Sequence, residues 1–340
     1  MDEPSGSQDQ PREPGRIAKS VQTLRDRLAA KLTPLQAAWL TLPGNLRGGI
    51  WMLVATLFFS FMVAFIKLAG LRLHVTQILC LRQVVMLILA SPAIFRSFPG
   101  ALRTNRLDLQ LIRVVFAFFA MLMGFTAVVH LPLAEATTIQ FAKTFFITLL
   151  AIFLLGEVVG IRRWGAIIVG FIGVLIVAWP TSGHAFNIYG ALAVLSSGCV
   201  AAVMILVRKL SKVDPPITIL CYQAIGVGLL MLPPTIYFWQ TPTIAEVGLI
   251  IGIGVLSVIG QTFNIFALRA GEASAVAPLD YSRLIYAVAL GYLMFEEWPE
   301  PRVFIGALII IAAAVYTLHR ERVRASDSNQ PSTKAGPKDM

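Results

Sequence analysis

Between residues 49 and 318 the chain consists of apolar windows about as long as a bilayer is thick, separated by short charged clusters. A helix needs about 20 mostly apolar residues to cross the hydrocarbon core. In the first half the windows are Gly49–Leu68, Thr76–Phe95, Leu111–Leu131, Ala136–Leu155 and Trp164–Trp179. In the second they are Ile188–Val207, Pro216–Trp239, Ile244–Leu268, Ala273–Phe295 and Val303–Leu318. The expectation is an all-α membrane protein with ten transmembrane helices. Composition agrees: only 14% of residues are charged and mean hydropathy is +0.75, against about 25% charged in soluble domains.

The net charge of +10 would suggest nucleic acid in a soluble protein. In a membrane protein it reads as basic loops and tails on one side, so no nucleic-acid partner is expected. With the N-terminus inside, the inner loops carry nine cations: Arg96, Arg103, Arg106, Arg162, Arg163, Arg208, Lys209, Lys212 and Arg269. The outer loops carry two, Arg72 and Arg302. Both termini are therefore predicted to be cytoplasmic. Residues 1–47 read as a cytoplasmic tail, too long and polar for a secretory leader. Within it, Ile17, Val21, Leu24 and Leu28 recur at the spacing of a short amphipathic helix. Residues 320–340 have a disordered composition.

Catalytic and metal chemistry find little support. Cys80, Cys199 and Cys221 all fall in apolar windows without paired spacing, and His74, His130, His184 and His319 lack ligand spacing. There is no G-x-x-x-x-G-K-[ST] stretch to hold nucleotide phosphates. No cofactor is expected.

The halves repeat each other. "IQFAKTFF" (139–146) aligns by residue type with "LDYSRLIY" (279–286), placing Gln140 opposite Asp280, Phe141 opposite Tyr281 and Lys143 opposite Arg283, always 140 residues apart. "QILCLRQ" and "TILCYQ" place Gln83 opposite Gln223 at the same offset. "LLGE" ending at Glu157 corresponds to "MFEE" ending at Glu297, and "WGAIIVGFIGVLIV" to "FIGALIIIAAAVY". Because each half holds five windows, the second would insert upside down, as an inverted-topology repeat (48–180 and 188–319).

These features resemble the drug/metabolite transporter superfamily, and within it the EamA group of ten-span carriers. The resemblance covers about residues 48–320 and rests on the fourth span of each half, the "LLGE" and "FEE" ends, and the "WGA" and "IGA" openings that follow. Where many such proteins carry a proline thirteen residues before that glutamate, this chain has Thr144 and Leu284. The resemblance implies a carrier in a bacterial inner membrane.

Ionisable side chains at membrane depth are costly and mark functional sites. Arg283 falls near the middle of its window, Lys143 about 12 Å and Arg82 about 10 Å from the nearer end. Asp280 and Arg283 are spaced i, i+3 and can pair along one helix, whereas Lys143 has Gln140 at the equivalent place. Arg82 has Glu135 as a nearby acid. Glu157 and Glu297 sit at helix ends and read as structural. The candidate solute site comprises Lys143, Arg283, Arg82, Asp280, Gln140, Tyr281, Gln83 and Gln223, with Phe141, Tyr286 and Tyr222 as aromatic walls. Such a cavity favours a small anionic or zwitterionic organic solute with a flat or apolar part.

The expectation is a secondary carrier whose partners are that solute and the bilayer, with a homodimer left open. The superfamily suggests amino-acid derivatives, vitamins or nucleoside-type solutes. An intramembrane enzyme would need a converging nucleophile and base, and a channel or sensor subunit would need pore rings or filter loops.

Overall fold

The computed structural model describes residues 39, 42–98, 100–155, 161–179, 188–211, 213–271 and 276–328. The expected N-terminal amphipathic helix, Glu157 and residues 329–340 lie outside them. All regular structure among the described residues is helical, the form in which a chain satisfies every backbone group within its own segment in lipid. The helices are α1 (Gly44–Ala69), α2 (Val75–Arg96), α3 (Leu107–His130), α4 (Leu133–Gln140), α5 (Lys143–Leu155) and α6 (Ile161–Ala178). They continue as α7 (Ile188–Leu210), α8 (Pro216–Tyr237), α9 (Ile244–Ala270), α10 (Arg283–Phe295) and α11 (Pro301–Ser328). Six of them, α1, α2, α3, α7, α8 and α9, contain stretches long and apolar enough to cross a membrane. The protein is an integral membrane protein.

Helix starts follow local chemistry. Pro43, Pro132 and Pro215 immediately precede α1, α4 and α8, where a missing N–H is harmless. Thr243 opens α9 with a capping box: its hydroxyl accepts the Glu246 N–H at 3.3 Å and the Glu246 carboxylate accepts the Thr243 N–H at 2.7 Å.

Two expected spans are not continuous α-helices. The window Ala136–Leu155 is α4 and α5, joined at Phe141 and Ala142. There the ladder tightens: the N–H groups of Phe141, Ala142, Thr144 and Phe145 each reach back three residues, at 3.0–3.1 Å. The Ile139 carbonyl, which Lys143 N–H would occupy in an α-helix, accepts instead from Ala142 N–H and from the Ser197 hydroxyl of α7 at 3.2 Å. A neighbouring helix thus satisfies what the break releases. In the second half, a 3₁₀ turn over Ala277–Ser282, containing Pro278, precedes α10. Both irregularities fall in the duplicated stretch. A third departure is at the C-terminus, where α11 extends to Ser328 through the Glu- and Arg-rich "RERVRA", residues that favour helix.

The helices pack chiefly as α1 with α9, α3 with α7, α6 with α11, and α2 with α8. Backbones meet at the α6–α11 crossing: a Cβ on Gly306 would stand 2.7 Å from the Gly173 carbonyl oxygen, and one on Gly173 would stand 3.0 Å from that of Gly306. The largest buried cluster centres on α4, α5 and their neighbours and includes Ile139, Phe141, Ala142, Phe145, Val174 and Ile310. The duplicated stretch is therefore the middle of the bundle.

Candidate functional site

The two helix breaks bring the duplicated cations together. Lys143 is the first residue of α5 and Arg283 the first of α10. Asp280, in the 3₁₀ turn, lies between them: Lys143 Nζ donates to Asp280 Oδ2 at 3.2 Å, and Arg283 Nε stands 2.9 Å from Asp280 Oδ1. The second contact is an ion pair without hydrogen-bond alignment, since Arg283 Nε has no hydrogen-bond partner. Sequence spacing pairs Asp280 with Arg283 alone and leaves Lys143 without an acid. The fold corrects this, because the break in each half turns both stretches inward to share one carboxylate.

The surroundings fix this geometry. The Arg283 guanidinium lies over the Phe59 ring, 4.7 Å from its centroid. Ser282 shares a 2.9 Å hydrogen bond with Thr56 of α1, and Phe141 meets the edge of Tyr281 at 4.8 Å. Lys143, Arg283, Gln140, Thr137 and Ser60 line a cavity of about 30 Å³, room for a water molecule or two. Sites for small organic ligands run to about 300 Å³ and more, so the bundle is closed around its centre. Two cations and one carboxylate leave one net positive charge there.

The other expected site residues lie elsewhere. Arg82 is buried between α2, α3 and α9: Nε donates to Ser257 Oγ at 3.1 Å, Nη1 is 3.9 Å from Met121 Sδ, and the guanidinium is 5.9 Å from the Phe125 centroid. Its expected acid, Glu135, pairs instead with Arg302 at 3.6 Å. Gln83, 1% exposed, finds no hydrogen-bond partner for either amide atom. Gln223 accepts from Arg113 Nη2, and Arg113 Nη1 donates to the Ile219 carbonyl at 2.9 Å. Tyr222 is no wall of the central cavity, since it donates to the Leu102 carbonyl at 3.1 Å.

Three groups that sequence reasoning passed over are prominent. Arg113 and Lys67 lie inside expected spans, so a count of charges in those windows finds them. Lys67 donates to the Leu131 carbonyl at 2.6 Å and pairs with Glu297, whose other oxygen accepts the Leu133 N–H at 2.9 Å. Glu297 thus ties the ends of α1 and α10 to the start of α4. Arg302 likewise donates to the carbonyls of Val177, at 3.0 Å, and Trp179 at the end of α6. At the other end of the bundle Asp214 accepts from Thr104 at 2.5 Å, Gln110 at 2.9 Å and the Asn105 N–H at 3.2 Å. Partial burial pushes its pKa up, but these hydrogen bonds outweigh that and hold it below the usual carboxylate value.

A family model described as the EamA-like transporter family matches residues 46–179 and 188–318. The S-adenosylmethionine uptake transporter of Rickettsia prowazekii is 27% identical over 285 residues, covering 84% of this chain and 97% of its own length. The pseudopaline exporter CntI of Pseudomonas aeruginosa is 27% identical over 273 residues, covering 79% and 95%. The riboflavin transporter of Vibrio cholerae is 28% identical over 276 residues, covering 80% and 92%. A protein of known crystal structure aligns over 79% of this chain and 98% of its own, with TM-score 0.53 and 19% identity, a likeness of fold.

Proposed function

The chain belongs to the EamA-like transporter family, and from that premise we propose that it is a secondary carrier moving a small anionic or zwitterionic organic solute by alternating access. It is a transporter rather than an enzyme. The observation that carries the reading is the single Asp280 carboxylate held between Lys143 and Arg283, matched positions of the two halves. A solute carboxylate or phosphate would exchange with Asp280 for the same two cations. Arginine supplies a planar fork and lysine a point charge, and Gln140 and Tyr281 border the exchange. Arg82, Gln83 and Gln223 lie outside the central cavity and are further polar groups that an opening bundle would offer to the rest of the solute.

The packing supports alternating access by an inverted repeat. Exchanging the halves turns the pair α1–α9 into α7–α3, and it maps α2–α8 and α6–α11 onto themselves. All four are principal packing pairs. Rocking two such halves around a central site is how repeat transporters alternate. In the proposed topology the chain makes ten passes, with α4–α5 as the fourth and the 3₁₀ turn with α10 as the ninth. Both termini face the cytoplasm of a bacterial inner membrane. The relatives named for S-adenosylmethionine, pseudopaline and riboflavin define the first solutes to try.

The test is counterflow of labelled solutes into proteoliposomes. The expected result is transport of at least one anionic or zwitterionic solute that is lost in both Lys143→Ala and Arg283→Ala while the proteins remain folded. The double variant should be no worse than either single, because residues sharing one ligand act as a unit. Full transport by Lys143→Gln would refute the shared-anion site.

A further inference from the structure

A second cavity, of about 480 Å³, opens at the end of the bundle where α1, α3 and α8 finish and α2 begins. One wall is the short strap between α8 and α9, residues 238–243, which lacks helical structure. Side chains pin it on both sides. Gln77 donates through Nε2 to the Gln240 carbonyl at 2.6 Å and accepts the Gln240 N–H at 3.1 Å. Arg72 donates to the Thr241 carbonyl at 2.9 Å while its Nε holds Glu246 at 2.5 Å.

Such fixation normally accompanies burial of the segment's side chains. Here the strap's aromatic rings stay open: Trp239 is 50% exposed and Phe238 45%. Phe238 stacks on His74 at 4.2 Å and 17°, and burial pushes the His74 imidazole below its ordinary pKa. That stack is therefore a neutral aromatic surface near pH 7. The cavity volume lies within the range of small-molecule sites, about 300–1,000 Å³, and it adjoins the Arg72 side chain.

We propose that this pocket binds the planar heteroaromatic ring of a solute, of nucleobase size, against Trp239 and the Phe238–His74 stack. Aromatic faces accept any flat π-system by stacking, with little demand on its edge pattern. The rigid strap removes the ordering cost that a mobile loop would impose. No residue of the Lys143–Asp280–Arg283 triad lines the pocket, so the inference stands whether or not that triad is the transport site.

The test is equilibrium dialysis of labelled adenosine, with ribose as the ring-free control, against the full-length protein in lipid nanodiscs. Adenosine is expected to bind and ribose not. Trp239→Leu, which keeps an apolar body without a π face, should weaken adenosine roughly tenfold or more, and Trp239→Phe should retain most of the affinity. Gln77→Leu, which frees the strap and leaves the rings intact, should weaken it as well. Arg283→Ala serves as the comparison arm that reports binding at the central site. Adenosine binding no better than ribose, or equal in Trp239→Leu and parent, would overturn the proposal and leave these rings as membrane-interface aromatics. Binding lost in Arg283→Ala but kept in Trp239→Leu would overturn it too, by assigning the ring to the central site.

Discussion

Neutralising Asp280 is the perturbation on which the central geometry speaks most directly. With charge centres about 4 Å apart and an effective dielectric near 20, each of its two ion pairs contributes about 4 kcal/mol before desolvation. Contacts of 3.2 and 2.9 Å on the two oxygens of one carboxylate place the cations no more than about 8 Å apart, where they repel by about 2 kcal/mol on the same scale. Asp280→Asn removes both attractions and leaves that repulsion unscreened. Breaking a buried pair costs about 3–5 kcal/mol. The Lys143, Asp280 and Arg283 side chains keep 20%, 22% and 25% exposure, so the loss should fall near the lower end. The assay is unfolding of the purified protein in detergent, following helix signal against denaturant. Two companions sharpen it: Asp280→Asn with Lys143→Gln, and Asp280→Asn with Arg283→Gln, should each recover part of the loss, since each leaves one cation. An Asp280→Asn protein as stable as the parent, or double variants no better than the single, would refute the shared-carboxylate argument.

Other consequences concern the rest of the bundle. Gly306→Val inserts a branched side chain where a Cβ alone would stand 2.7 Å from the Gly173 carbonyl, and should destabilise by about 1–3 kcal/mol or more in the same unfolding assay. Glu297→Gln strips buried Lys67 of its carboxylate, and should lower stability measurably while Lys67→Met with Glu297→Gln recovers much of it. Glu296 adopts φ 56°, the left-handed region that suits glycine, so Glu296→Gly should raise stability by up to about 1 kcal/mol. Asp214 has a folded pKa below its unfolded value, so its contribution is complete above the unfolded pKa, near 3.9, and is lost as pH falls through the folded value. Asp214→Asn should therefore be less stable than the parent at pH 7 and converge with it in strong acid, as a melting series across pH would reveal.

What was legible in the sequence follows from what water and lipid each demand. Long apolar windows, loop cations and a fixed 140-residue offset are one-dimensional signals, and they led to the membrane class, the family and the matched positions of Lys143 and Arg283. The breaks at Phe141–Ala142 and before Arg283 were hidden. An apolar window looks the same whether its ladder is continuous or a hydroxyl on another helix, Ser197, takes over a released carbonyl. Partner choice was hidden for the same reason. Asp280 is three residues from Arg283 and 137 from Lys143, and only the fold makes the second contact as real as the first. Glu135 was matched with Arg82 by depth, yet Arg302 reaches it across the chain while also capping α6.

The repeat is unequal at the one place where inequality has consequences. Gln140 and Asp280 occupy matched positions, so the centre holds two cations and one acid rather than two of each. Under the proposed function, a second acid would neutralise the site and leave no net positive charge to draw in a solute anion. With neither acid, two cations would face each other across about 30 Å³ of cavity, opposing closure of the empty carrier. One carboxylate lets the bundle close without solute, yet still leaves net positive charge to favour an anion on opening. Under the proposed function, Asp280 is thus a tethered stand-in for the solute, and its affinity for Lys143 and Arg283 sets the threshold a transported anion must exceed. Weakening that tether should tighten solute binding and impair return of the empty carrier, so Asp280→Asn should bind solute better in equilibrium assays while net transport falls. Weaker binding in that variant would mean that Asp280 contacts the solute rather than standing in for it.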